Sequence, residues 1–136
     1  MSELVHLSYE VAAKSAVWDK LPIIMAKLLT GEIVHVTTSA ASIFGYTTDE
    51  LMGKVLEILV PNTLREAHVH WRQDVKVPAL RLMGEGRRVT GLRKDGSAVV
   101  LHVGLTEFEA LGDSIGLAFI IDLSGALAVL QGLGVS

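Results

Sequence analysis

A chain of 136 residues has room for one folded domain, and at that size it buries roughly two thirds of the surface its unfolded form exposes. Hydrophobic residues make up 50% of it and there are only three Pro, which excludes a disordered chain. The formal charge is −3 and basic residues are dispersed apart from Arg87, Arg88, Arg93 and Lys94, which leaves no basic groove for a nucleic-acid partner.

In chain order, Leu7 to Trp18 is amphipathic: Leu7, Val11, Ala12, Ser15 and Trp18 fall near one helical face, while Glu10, Lys14 and Lys20 reach solvent. Pro22 ends this helix, so residues 1–21 are read as a flanking helix outside the domain. Ile23 to Leu29 then reads as a strand, Thr30-Gly31 as a turn and Glu32 to Val36 as the hairpin mate. Thr37 or Thr38 caps a short helix that runs through Phe44 and stops at Gly45, and Thr48 opens another helical turn. The apolar run Val55 to Val60 is expected to be buried. Thr63 with Glu66 suggests a capping box for a helix over Leu64 to Val75, on which Leu64, Ala67, His68 and Trp71 share a face.

From Arg87 the hydrophobic period changes to two. Arg87 to Leu92 reads as a strand, Lys94 to Ser97 as a hairpin turn, and Ala98 to Phe108 as a long strand with Val99, Leu101, Val103 and Leu105 on its apolar face. Gly112-Asp113 turns the chain into Ile115 to Ile121, an apolar strand expected at the centre of the sheet. Residues 125–136 form an apolar tail able to make one or two helical turns. Two strands, several short helices and three strands make an α+β fold, a five-stranded antiparallel sheet with short helices on one face and a small apolar cavity between them.

With these places assigned, the motifs resemble those of PAS sensory domains. Gly31 to Val36 resembles the family's first hairpin, with Thr37 where Asn is usual, and Ala40-Ala41, Phe44-Gly45-Tyr46 and Glu50-Leu51-Met52-Gly53 follow at its spacing. Leu59-Val60-Pro61, Met83-Gly84, Gly86-Arg87, Gly91, Arg93 to Ser97 and Ile121 to Ser124 complete an ordered series over residues 22–124. The resemblance implies a bacterial type of sensory module that binds a small ligand, mediates homodimerisation, or relays a signal to an effector protein in trans. The subgroup includes haem oxygen sensors, whose axial histidine falls where this chain has Arg81. A guanidinium keeps its proton and offers iron no lone pair, which counts against haem. A flavin, FAD or FMN, is compatible with such a cavity, although no residue demands one.

The polar candidates each have a plain alternative. Arg87 follows two glycines at the expected cavity mouth and by resemblance meets an anionic ligand group; its alternative is a surface salt bridge to Glu85. Trp71 can stack on a flavin or simply pack helix on sheet. His68 and His70 diverge by about 200° on a helix and do not converge on one metal. His68 is then either hydrogen-bonded to a nearby loop or a haem ligand. His102 faces either the cavity or the outer side of the sheet, and His35 is expected in solvent. The acidic pairs read as caps and loop solvation, and no nucleophile or phosphate loop is recognisable, so no enzyme activity is expected. The chain has no Cys, which excludes disulfides, thiolate metal sites and cysteinyl flavin chemistry. Without a leader pattern or a long apolar run, a cytoplasmic protein with no membrane contact is the expectation.

Overall fold

The computed structural model of the chain describes residues 16–74, 81–82, 89–124 and 132. Most of the expected Leu7–Trp18 helix lies outside them, as does the 125–136 tail apart from Gly132. The first described helix is α1, Ala16–Lys20. There follow β1 (Ile23–Lys27), β2 (Ile33–Val36), α2 (Thr38–Ile43), α3 (Thr48–Leu51), 3₁₀ turns at Leu56–Leu59 and Asn62–Leu64, and α4 (Arg65–Asp74). The chain closes with β3 (Arg81–Leu82), β4 (Val89–Leu92), β5 (Ala98–Ala110) and β6 (Asp113–Asp122).

All the strand pairings are antiparallel, in the order β2, β1, β6, β5. The far edge of β5 is shared, with β4 pairing Ala98 to Leu101 and the two-residue β3 pairing Gly104 and Leu105. The sheet is therefore five strands wide, and β6 lies at its centre as its apolar sequence suggests. The period-two reading holds for β5, where Val99, Leu101, Val103 and Leu105 are all buried.

Several local expectations are corrected. β1 ends at Lys27, and Leu29 is left 73% exposed beyond it. The run Val55 to Val60 is a 3₁₀ turn with Val55 exposed, while Leu59 and the acid Glu57 are buried. Thr63 caps nothing: it sits inside the 3₁₀ turn leading into α4, where the Leu64 amide is taken up by the carbonyl of Pro61 at 2.9 Å. The capping box is one helix earlier and starts at Thr47 rather than Thr48. Thr47 Oγ1 accepts from the Glu50 amide at 3.2 Å, and Glu50 Oε1 from the Thr47 amide at 2.9 Å. Lys94 pairs with the same carboxylate from the β4–β5 turn, and these contacts hold the Glu50 carboxyl down to about 2.

β1 is apolar at every position but its last because both of its faces are covered. Inward, Ile24 joins Ile33, Phe44, Leu51, Leu101 and Ile120 in the core under the helices. Outward, Ile23 and Met25 pack with Ile115, Phe108 and Phe119 and receive Trp18 from α1. Trp18 also donates through Nε1 to His35 Nε2 at 2.8 Å. His35 is thus half-buried beneath an indole instead of solvated as expected, because α1 folds back over this face.

That hydrogen bond requires an unprotonated Nε2. Burial pushes the His35 imidazole below its ordinary value of 6.5, against the opposing pull of Asp19. As pH falls the unfolded or undocked state takes up the proton first, so the contribution is whole above the ordinary value and is lost as pH falls from there through the folded one. In a Trp71→Phe background, Trp18 emission is expected to shift to the red between about pH 7.5 and pH 5. His35→Gln, whose amide oxygen still accepts, should flatten that change, and emission that ignores pH with His35 in place would refute the coupling.

Candidate functional site

The sheet and α4 flank a half-open cavity of about 490 Å³. Leu64, at the end of the 3₁₀ turn leading into α4, and Ala67, His68 and Trp71 on α4 stand at i, i+3, i+4 and i+7 and all line it, as the helical spacing predicts. Leu101, Val103 and Leu105 of β5 form the opposite wall, with Ala118 and Ile120 of β6. Gly91 completes the β4 side: a Cβ there would come within 2.8 Å of the Phe44 ring, so the bare backbone lets that ring close the wall. Leu64 and Trp71 line the cavity and remain 49% and 39% exposed. Trp71 is accordingly a wall residue and not the fully packed core residue considered as its alternative.

A buried polar cluster holds one end of α4. Arg72 is 3% exposed and grips Glu57 through Nε to Oε2 at 3.1 Å and Nη2 to Oε1 at 2.8 Å. Its Nη1 donates to the carbonyls of Leu28 and Leu29 at 2.7 and 3.0 Å, which ties α4 to the end of β1. His68 Nδ1 lies 2.6 Å from Glu57 Oε2. Burial alone would raise the Glu57 carboxyl, but the hydrogen bonds from Arg72 and His68 outweigh it and leave the carboxyl below its ordinary value. Gly31 is needed beside this cluster twice over: it sits at φ +81, and a Cβ would stand 2.9 Å from the Arg72 guanidinium carbon.

Of the residues singled out in the sequence, His68 and Trp71 are brought together on the cavity wall with ring centres 5.8 Å apart. Of the alternatives for His68, the structure has the hydrogen bond to a nearby segment, made to the carboxylate of Glu57 in the 3₁₀ turn at Leu56–Leu59. His102 is paired across from Ile121 and is not among the lining residues, whereas its neighbours Leu101 and Val103 are, so it takes the outer-face alternative. The Arg81 backbone pairs with Leu105 beside the cavity. Arg87 lies outside the described residues. The two residues not anticipated are Glu57 and Arg72. The signal for Glu57 was present, since an acid inside the apolar run 55–60 calls for a buried partner. Nothing local marks Arg72 as that partner.

A single antiparallel sheet curled around short helices, with an apolar cavity between them, defines a sensory-domain architecture. The PAS fold matches residues 21–122, and the chain belongs to that family. The sensor protein FixL of Bradyrhizobium diazoefficiens is 30% identical over 95 residues, which cover 69% of this chain and 19% of FixL. The oxygen sensor protein DosP of Escherichia coli is 29% identical over 98 residues, 71% of this chain and 12% of DosP. The chain thus spans less than a fifth of either relative. Among solved structures, the PAS domain of an HTR-like protein from Haloarcula marismortui superposes with a TM-score of 0.64 at 21% identity, over 88% of this chain and 94% of that one, a likeness of fold alone. No helix among the described residues is long and apolar enough to cross a membrane.

Proposed function

We propose that this PAS sensory domain takes a small, largely apolar ligand into the cavity under α4 and passes its occupancy to a partner through the sheet. The carrying observation is the cavity itself. Its volume is in the range of small-molecule sites, and an amphipathic helix presents its apolar face to it without filling it. The reading is of a binding module without catalysis, because the polar groups of the site are engaged in holding the wall. Haem does not fit through the position that supplies its axial ligand in the related sensors: Arg81 stands there, and arginine has no lone pair to give. No described residue calls for a flavin.

The purified chain is expected to be colourless and to retain or take up a small organic molecule in native mass spectrometry. Ala118→Phe, which places a ring in the cavity from the central strand, should abolish that uptake while the unfolding free energy holds within about 1 kcal/mol. A stoichiometric Soret or flavin band would overturn the colourless reading. Uptake unaltered by Ala118→Phe would overturn the cavity as the site.

The outer face supports homodimerisation as the relay. Val17 on α1 is 69% exposed and Ile121 on the outer side of β6 is 44% exposed, apolar side chains that a second copy can cover. Sedimentation at tens of micromolar should show a dimer that Val17→Glu dissociates, and a wild-type chain that stays monomeric there would reject it.

A further inference from the structure

We propose that the cavity's ligand carries a hydrogen-bond donor, an O–H or aromatic N–H on an otherwise apolar body, and that Nε2 of His68 is the acceptor that reads it. This rests on the cavity being a ligand site.

The cluster behind the wall sets the state of the His68 ring. His68 Nδ1 approaches Glu57 Oε2 at 2.6 Å, and an ionised carboxylate can only accept, so Nδ1 carries the hydrogen. The charge of Glu57 is already met by the two-point grip of Arg72. A neutral imidazole leaves the three groups at net zero, whereas an imidazolium would set an unbalanced charge against an apolar cavity. The neutral ring with hydrogen on Nδ1 has its lone pair on Nε2, and the carboxylate behind it fixes both tautomer and ring orientation. Nε2 forms no hydrogen bond among the described residues, and His68 lines the cavity.

The wall therefore offers a fixed acceptor in surroundings that are otherwise mostly Leu, Val and Ala. An ether or ketone of the same shape meets acceptor with acceptor and forfeits the water each had before. An alcohol, phenol or indole satisfies Nε2. A carboxylic acid is ionised at neutral pH and then only accepts, so it could meet Nε2 only after taking up a proton. Thr90 also lines the cavity, but its hydroxyl can donate or accept and so does not discriminate between these classes.

Indole and N-methylindole differ by the donor and one methyl, and serve as probes in calorimetric titrations of the full chain. The wild type is expected to bind indole about tenfold more tightly, the penalty of an unmade bond at an acceptor that the bound ligand covers. His68→Phe should bring the two affinities together while N-methylindole still binds. Equal affinities in the wild type would overturn the donor requirement and leave the cavity standing. A preference that survives His68→Phe would overturn the role of His68. Failure of both probes to bind the wild type would overturn the cavity reading itself. Should His68→Phe fail to fold, ¹⁵N-imidazole spectra of the wild type decide: the Nε2 resonance must move with indole and not with N-methylindole, and a resonance that stays put under bound indole refutes the contact.

Discussion

Arg72→Met is expected to cost about 3–5 kcal/mol of folding stability, read as a lower urea midpoint at unchanged slope. Methionine fills most of the space of the arginine stem, so the loss is one of charge and donors and not of volume. It leaves the buried Glu57 carboxylate with His68 in place of a two-point cationic partner and removes the donors of the Leu28 and Leu29 carbonyls, where the chain leaves β1. A domain of this kind holds about 5–15 kcal/mol in all, so the substitution takes a large fraction of it. Adding Glu57→Leu should recover part of the loss, because the pair's net worth is far smaller than the cost of leaving one charge alone. A single variant within about 1 kcal/mol of wild type would show that the cluster is solvated in solution.

Thr37→Val should cost about 2–4 kcal/mol, combining a lost helix cap with buried amides left without an acceptor. Thr37 is fully buried, and its hydroxyl serves three elements at once. It accepts from the Ala40 amide at 3.2 Å as the N-cap of α2, accepts from the Ile23 amide at 3.1 Å where β1 begins, and donates to the Leu21 carbonyl ahead of Pro22. Valine keeps the shape and loses all of this. Thr37→Ser is the control, expected to lose only about 1 kcal/mol for a buried methyl. If the two variants melt alike, the hydroxyl is not what joins these elements.

The legibility of this chain followed the range of each interaction. β5 could be read residue by residue, because alternation of Val99, Leu101, Val103 and Leu105 expresses a single half-buried strand. The cavity-facing stripe of α4 and the turn before it was legible for the same reason, since Leu64, Ala67, His68 and Trp71 follow the helical period. Helix entry was less so: Thr63 with Glu66 has the letters of a capping box, but a 3₁₀ turn after Pro61 takes the amide that Thr63 would have capped. His102 illustrates the middle case, where the strand was clear and its face was not, because histidine suits either side and only the register against Ile121 and the position of the cavity decide.

The sequence by itself determined the family and the order of the strands and helices apart from β3 and the 3₁₀ turns, because those depend on neighbours a few residues apart and on an ordered series of short motifs. Tertiary structure alone decided the chemistry of the site. Glu57 and Arg72 meet across 15 positions, and Arg72 reaches Leu28 across 44, so neither the buried ion pair nor the tautomer it imposes on His68 is written in any local pattern. The same holds for Trp18 over His35, 17 residues away: a half-buried imidazole and a solvated one have the same sequence, and only the covering helix separates them.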